Sequence, residues 1–193
     1  MKKLKILFPL LAVMALCSCS NNTSSSSLSP SSSSSATSSN TSTSSVLNGY
    51  FEREDEEGNL YKGNFVNGEY DGYGVMEYIT GTIYEGTWSE GKWEGSCKIT
   101  WDSGCVYIGE AHDGAMHGIG YMIWPMGDYY YGDWRNGSPN GAGTKYYMVD
   151  STAEDVQHQY NIYTGDMKNN LKVGKGVMRY SFGAMYDGDW END

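Results

Sequence analysis

Residues 61–78 read YKGNFVNGEYDGYGVMEY, with four tyrosines and four glycines in one short stretch. The bulkiest and the smallest side chains alternate here, and the pairing recurs. Taking Tyr61-x-Gly63 as an anchor, Tyr84-x-Gly86, Tyr107-x-Gly109 and Tyr130-x-Gly132 follow at steps of 23 residues. Tyr163-x-Gly165 comes after a step of 33, and Tyr186-x-Gly188 after another 23. Further glycines keep the same phase: Gly72 and Gly74, Gly118 and Gly120, Gly141 and Gly143, Gly174 and Gly176. The second unit has Gly95, then Cys97 in place of glycine. A fixed period of this length marks an array of units that pack mainly on their neighbours.

Each unit reads as a β-hairpin: a short strand, a tight turn at Asn67-Gly68, Asp113-Gly114 or Asn136-Gly137, and a longer strand. With a two-residue turn at Asn67-Gly68, Tyr61 is expected opposite Gly74, Gly63 opposite Gly72 and Phe65 opposite Tyr70. Side chains alternate along a strand, so one face collects Phe65, Tyr78, Trp88, Trp101, Trp124, Trp134, Tyr147, Tyr180 and Trp190. The other carries Lys62, Asn64, Glu77, Glu85, Glu110, Asp133, Asp166 and Asp189, and is expected to be mostly polar. From residue 48 onward there are only two leucines, Leu60 and Leu171, against all 17 tyrosines and all six tryptophans. Such a composition suits an all-β, elongated, single-layer antiparallel sheet of consecutive hairpins. About twelve strands at the usual spacing extend about 55 Å. Glycine in this scheme lets a ring lie flat on neighbouring backbone.

YEGTWSEGKWEGSCKITWDSG, residues 84–104, and YIGEAHDGAMHGIGYMIWPMG, residues 107–127, resemble MORN repeats. The resemblance covers nearly all of residues 49–193: about five repeats, a half repeat at Gly49 to Gly58 and a truncated one after Tyr186. The chain departs from the pattern at Ala111 and Met167, where an aromatic is expected, at Cys97, and in an insertion near 149–160. The resemblance implies a twisted ribbon of hairpins and a role in scaffolding and assembly. It also implies phospholipid contact, which the charge of this chain opposes.

The N-terminal third is different in kind. Residues 1–18 combine Lys2, Lys3 and Lys5 with an apolar run from Ile6 to Leu16, the layout of a secretory signal. Leu16-Cys17-Ser18-Cys19 resembles the lipobox of bacterial lipoproteins, making Cys19 the expected lipidation site, exported and anchored to a bacterial membrane. Residues 19–47 are rich in Ser and Thr and are expected to be a disordered tether, with a span of roughly 30 Å. Residues 48–193 form the repeat domain. Without the signal, ten basic residues face 24 acidic ones, a net charge of −14. Such a body is not drawn to nucleic acid or anionic headgroups, so membrane attachment falls to the lipid.

Little in the chain points to chemistry. Cys97 and Cys105 are expected too far apart along the ladder for a disulfide. Glu110, His112 and His117 make a metal candidate at one hairpin tip, weighed against three solvated residues of the polar face; the expectation is no metal and no cofactor. The glycines follow the repeat and form no phosphate-cradling loop, and no nucleophile elbow or metal-binding helix is present. The expectation is a protein that is not an enzyme. Ser151-Thr152-Ala153-Glu154 in the insertion is expected to cap one helical turn. Two readings of function stand: a tethered module binding protein or itself, and a glycan binder stacking sugars on Phe65, Trp88, Trp101, Trp124, Trp134 and Tyr147. They are told apart by whether those rings are covered.

Overall fold

The computed structural model describes residues 46–193. The signal at 1–18, the lipidation site Cys19 and the tether as far as residue 45 lie outside the described residues. The strands are β1 (Gly49–Glu54), β2 (Leu60–Val66), β3 (Glu69–Glu77), β4 (Ile83–Ser89), β5 (Lys92–Thr100) and β6 (Val106–His112). They continue as β7 (Ala115–Ile123), β8 (Tyr129–Arg135), β9 (Ser138–Met148), β10 (Tyr160–Lys168), β11 (Leu171–Arg179) and β12 (Met185–Glu191). One helical turn, α1 (Val156–Gln159), lies between β9 and β10. All twelve strands form one sheet in chain order, each antiparallel to the next, open at β1 and β12.

The hairpin tips explain the turn sequences. Asn67 and Gly68 both adopt left-handed backbone, φ +54° and +88°, and the same holds at Asp113-Gly114 and Asn136-Gly137. Such mirror-image turns match the twist of the flanking strands, and Asn-Gly and Asp-Gly tolerate them best. Glu90-Gly91 and Asn169-Asn170 turn the same way with less favourable residues. Each tip is also tied to the hairpin before it. The Gly68 N–H donates to the Leu47 carbonyl, Gly91 to Tyr70, Gly114 to Trp93, Gly137 to Met116 and Asn170 to Pro139. Leu47, assigned by the sequence to the tether, thus packs against the core as the first of this series.

Hairpins are joined by five-residue turns beginning at Asp55, Tyr78, Trp101, Trp124 and Tyr180; in each, the fourth residue, a glycine, donates to the first. Between β9 and β10 residues 149–159 replace that turn, and Val149 N–H donates to the Gln159 carbonyl at 2.8 Å. The helical turn is capped by Asp155, whose side chain accepts from His158 N–H at 2.9 Å. Ser151 is not the cap: the chain first bends at Asp150, whose carboxylate takes the Thr152 N–H and hydroxyl.

The register corrects one expectation. Phe65 does face Tyr70, but Gly63 faces Gly74 and Tyr61 faces Met76. Two extra residues bulge out of β3, with Gly72 left-handed at φ +76°. Equivalent shifts occur in the second, third, fourth and fifth hairpins. The bulge is two residues long, so alternation is kept and the face assignments survive. Its consequence is a continuous row across the sheet: Gly63, Gly74, Gly86, Cys97, Gly109, Gly120, Gly132, Gly143, Gly165, Gly176, Gly188, each opposite the next.

Candidate interaction face

The anchor tyrosines lie on that row. A Cβ added at Gly74 would sit 2.6 Å from Cε2 of Tyr61, and one at Gly176 2.6 Å from Cε2 of Tyr163, so the rings rest on bare backbone. Each phenol donates to the carbonyl three residues on: Tyr61 to Asn64, Tyr84 to Thr87, Tyr107 to Glu110, Tyr130 to Asp133, Tyr163 to Asp166 and Tyr186 to Asp189, at 2.7 to 3.1 Å. Five of the six anchors are 0% exposed; Tyr186, on the edge strand β12, is 44% exposed. Burial pushes the phenols of Tyr61 and Tyr163 up to about 12, and those of Tyr84, Tyr107 and Tyr130 higher still.

Two further positions cover each anchor. Nine residues on, Tyr70 stacks on Tyr61 at 4.1 Å and Trp93 on Tyr84 at 4.7 Å; Met116, Pro139 and Lys172 hold the same place in the later repeats. Four residues after three of the six anchors, a tryptophan bridges two repeats edge-on. Trp88 touches Tyr61 and Tyr84, Trp134 touches Tyr107 and Tyr130, and Trp190 touches Tyr163 and Tyr186, at 4.8 to 5.5 Å. The indole N–H of Trp134 donates to the Gly120 carbonyl and that of Trp190 to Gly176; among the described residues the buried indole N–H of Trp88 has no such acceptor.

Next to the glycine row runs a second one, in which anchors alternate with Met76, Ile99, Met122, Lys145 and Met178. The four apolar members are buried, so Lys145 is the exception in a core position. Its Nζ lies 5.3 Å from the ring centres of both Trp124 and Tyr147 and donates to Asn170 Oδ1 at 3.2 Å. Lys172 stands nearby, 5.4 Å from Tyr147 and 5.2 Å from Trp190, and pairs with Asp193 at 3.0 Å. Burial, then repulsion by Lys172, lowers the Lys145 amine below the ordinary lysine range. Burial acts the same way on Lys172, but Asp193 and Tyr147 outweigh it and leave that amine raised.

The reverse face is not uniformly polar. Around β7 to β10 it carries Tyr121, Tyr129, Tyr131, Tyr146 and Tyr160, with Tyr129 stacked on Tyr146 at 4.0 Å. Tyr160, adjoining α1, is buried, whereas Tyr131 and Ile119 stay exposed. They flank a shallow depression floored by Gly132, Ala142 and Gly143.

MORN repeat matches fall on residues 61–83, 84–106, 107–129, 130–148 and 163–183, more than half of the chain. The chain belongs to the MORN-repeat family. No curated protein matches it.

The MORN matches begin on five of the anchors named from sequence and stop before Tyr186. Of the six rings offered as a sugar platform, Phe65, Trp88 and Trp134 are at most 5% exposed, while Trp101, Trp124 and Tyr147 are partly buried against the core. Glu110 does face His117, and the His112 and His117 rings lie 5.6 Å apart. His112 Nδ1 is engaged by both carboxylate oxygens of Glu94 on β5 at 3.0 Å, which raises its basicity. Among the described residues no three His, Cys, Asp or Glu side chains gather as a metal site. Cys97 and Cys105 form no disulfide; Cys97 is buried opposite Gly86 and Gly109.

Sequence reading missed two features here. The tyrosine patch was hidden in the run Tyr129-Tyr130-Tyr131, which shows no alternation of residue type. Lys145 and Lys172 were legible in principle, by aligning the positions 15 and nine residues after each anchor and finding lysine where other repeats carry mostly apolar side chains.

Proposed function

We propose that this MORN ribbon is a non-catalytic module that binds a protein partner, tethered through a lipid on Cys19 to the extracytoplasmic side of a bacterial membrane. MORN repeats in general are protein- and membrane-interaction modules rather than enzymes. The observation that carries the reading is the use of the aromatic side chains: the anchors, Phe65, Trp88 and Trp134 are spent on holding a single-layer sheet together. What remains open is a broad surface, with Tyr131, Ile119 and Tyr73 exposed on one face and the strands β1 and β12 at the edges. Exposed apolar side chains on an extended sheet fit a protein surface better than a small ligand. Open edges also allow pairing with a second copy. With a net charge of −14 the body itself is repelled by anionic lipid.

The test is a photo-crosslinking side chain placed at Tyr131 in the full-length protein in its own cells, with Glu56 at a distant turn as control. The reading expects a discrete crosslinked protein from Tyr131 and none from Glu56. Absence of any such protein, together with saturable retention of the purified chain on cell-wall polysaccharide, overturns it in favour of glycan binding.

A further inference from the structure

Two lysines break the repeat, and they break it in the same place. Fifteen residues after an anchor the other repeats bury Met76, Ile99, Met122 and Met178; the fourth has Lys145. Nine residues after an anchor the others place Tyr70, Trp93, Met116 and Pro139; the fifth has Lys172. Both ammonium groups lie over the same ring, that of Tyr147, with Trp124 on one side and Trp190 on the other. An apolar side chain at either position would extend the core, whereas a lysine must bring its charge into partly dehydrated surroundings. That is unfavourable unless the charge is met.

The structure meets only half of it. The Asp193 carboxylate pairs with Lys172 Nζ at 3.0 Å and accepts the Lys172 backbone N–H at 2.8 Å. Among the described residues no carboxylate lies within 4.0 Å of Lys145, whose amine has Asn170 Oδ1 as its hydrogen-bond acceptor. Asp128 and Asp193 act on Lys145 only from farther away, and Lys172 repels it.

We propose that Lys145 and Lys172, walled by Trp124, Tyr147 and Trp190, form a notch that receives the side-chain carboxylate of an aspartate or glutamate from a protein partner. The inference rests on the interaction-module reading and names the partner's chemistry. Its occupant is a peptidyl carboxylate because one already sits on Lys172, in the form of Asp193. Partial desolvation makes a charge pair here stronger than on open surface. An anionic membrane fits less well: a single acidic side chain can enter the notch, whereas a whole charged surface would face the −14 body.

The experiment titrates the purified protein with an end-blocked hexaglutamate peptide at low salt, reading tryptophan fluorescence, since Trp124 lies against Lys145. The expected result is a saturable change, weakened at least tenfold in Lys145→Met and unchanged in Lys98→Met, a lysine of the reverse face. Lys145→Met installs the residue of three other repeats, so it should unfold at a higher temperature than the parent. Three results overturn the proposal: no saturable response; a Lys145→Met protein that is less stable but binds hexaglutamate as before; or Lys145-dependent binding of phosphatidylglycerol vesicles without peptide binding. A crosslink at Tyr131 that persists when hexaglutamate fails to bind would sink the notch alone and leave the module reading standing.

Discussion

A methyl group added at Gly109 would lie 2.5 Å from the Tyr107 hydroxyl and also 2.6 Å from the Gly120 Cα and 2.7 Å from the Ile119 carbonyl oxygen, both backbone atoms of the paired strand. Added at Gly120 instead, its three nearest neighbours all belong to the Tyr107 ring, which can shift. Cys97 already holds the position equivalent to Gly120 in its own repeat. Gly109→Ala should therefore cost about 3 kcal/mol, at the upper end of overpacking effects, and Gly120→Ala nearer 1 kcal/mol. Urea unfolding of the two variants measures the difference; equal costs would mean that ring contact, not backbone contact, sets the glycine row. The buried phenols make a second residue-scale prediction. Burial raises their folded pKa, so above about pH 10, where phenols of the unfolded chain ionise, the unfolded state sheds protons that the folded state keeps. Stability is fully present below pH 10 and is lost as pH rises through about 12 for Tyr61 and Tyr163. Phenolate absorbance should show the anchors ionising together with loss of the sheet; independent ionisation of all tyrosines near pH 10 would contradict their burial. At this scale the sequence was informative about the anchors, because a tyrosine and a glycine at fixed separation have one sensible use. The lysines show only when the repeats are aligned position by position, and their pairing over one ring shows only in the fold, because a single charged residue in a repeat reads as variation until its neighbours are known.

Among the elements, the hairpin tips carry the clearest local code. Asn and Asp tolerate left-handed backbone, and at three tips they precede glycine, but the second tip places Glu90 at φ +49°. Glu90→Asn should stabilise the protein by about 0.5–1 kcal/mol, since Asn enters that region at lower cost than Glu. Thermal unfolding reads the gain, and a loss would imply that Glu90 makes a contact that outweighs its backbone. The bulges were not legible in the same way. A two-residue bulge leaves alternation intact, so Tyr70, Gly72 and Gly74 look like one uninterrupted strand; only the left-handed Gly72 and the facing of Gly63 with Gly74 reveal the break. Side chains three residues after two of the anchors help hold the bulge, the Thr87 hydroxyl by donating to the Glu94 carbonyl and Asp133 by accepting from the other strand. Asp133 accepts the Ala142 N–H at 2.8 Å, which gives part of the acidic reverse face a structural use. The broken period points to the insertion, where the helix cap is Asp155 and not Ser151, because the Asp155 carboxylate takes the His158 N–H while Asp150 ties up Thr152.

For the molecule as a whole, the fold follows from repetition: Trp88, Trp134 and Trp190 each pack on the anchors of two repeats, so core contacts are shared between neighbouring hairpins. The address rests on sequence alone. Cells fed labelled palmitate should label the chain, and Cys19→Ala should abolish the label and release the protein from the membrane fraction; unchanged label in that variant would remove the anchor from the account. The central claim is that the aromatic side chains are the core of a protein-binding ribbon and not a platform for sugars. Tryptophan fluorescence of the purified protein, titrated with uncharged oligosaccharides, tests it most directly. If the rings are core, the emission is blue-shifted and these ligands leave it unchanged. A saturable spectral change, lost in Trp124→Ala while the sheet persists, would contradict the claim.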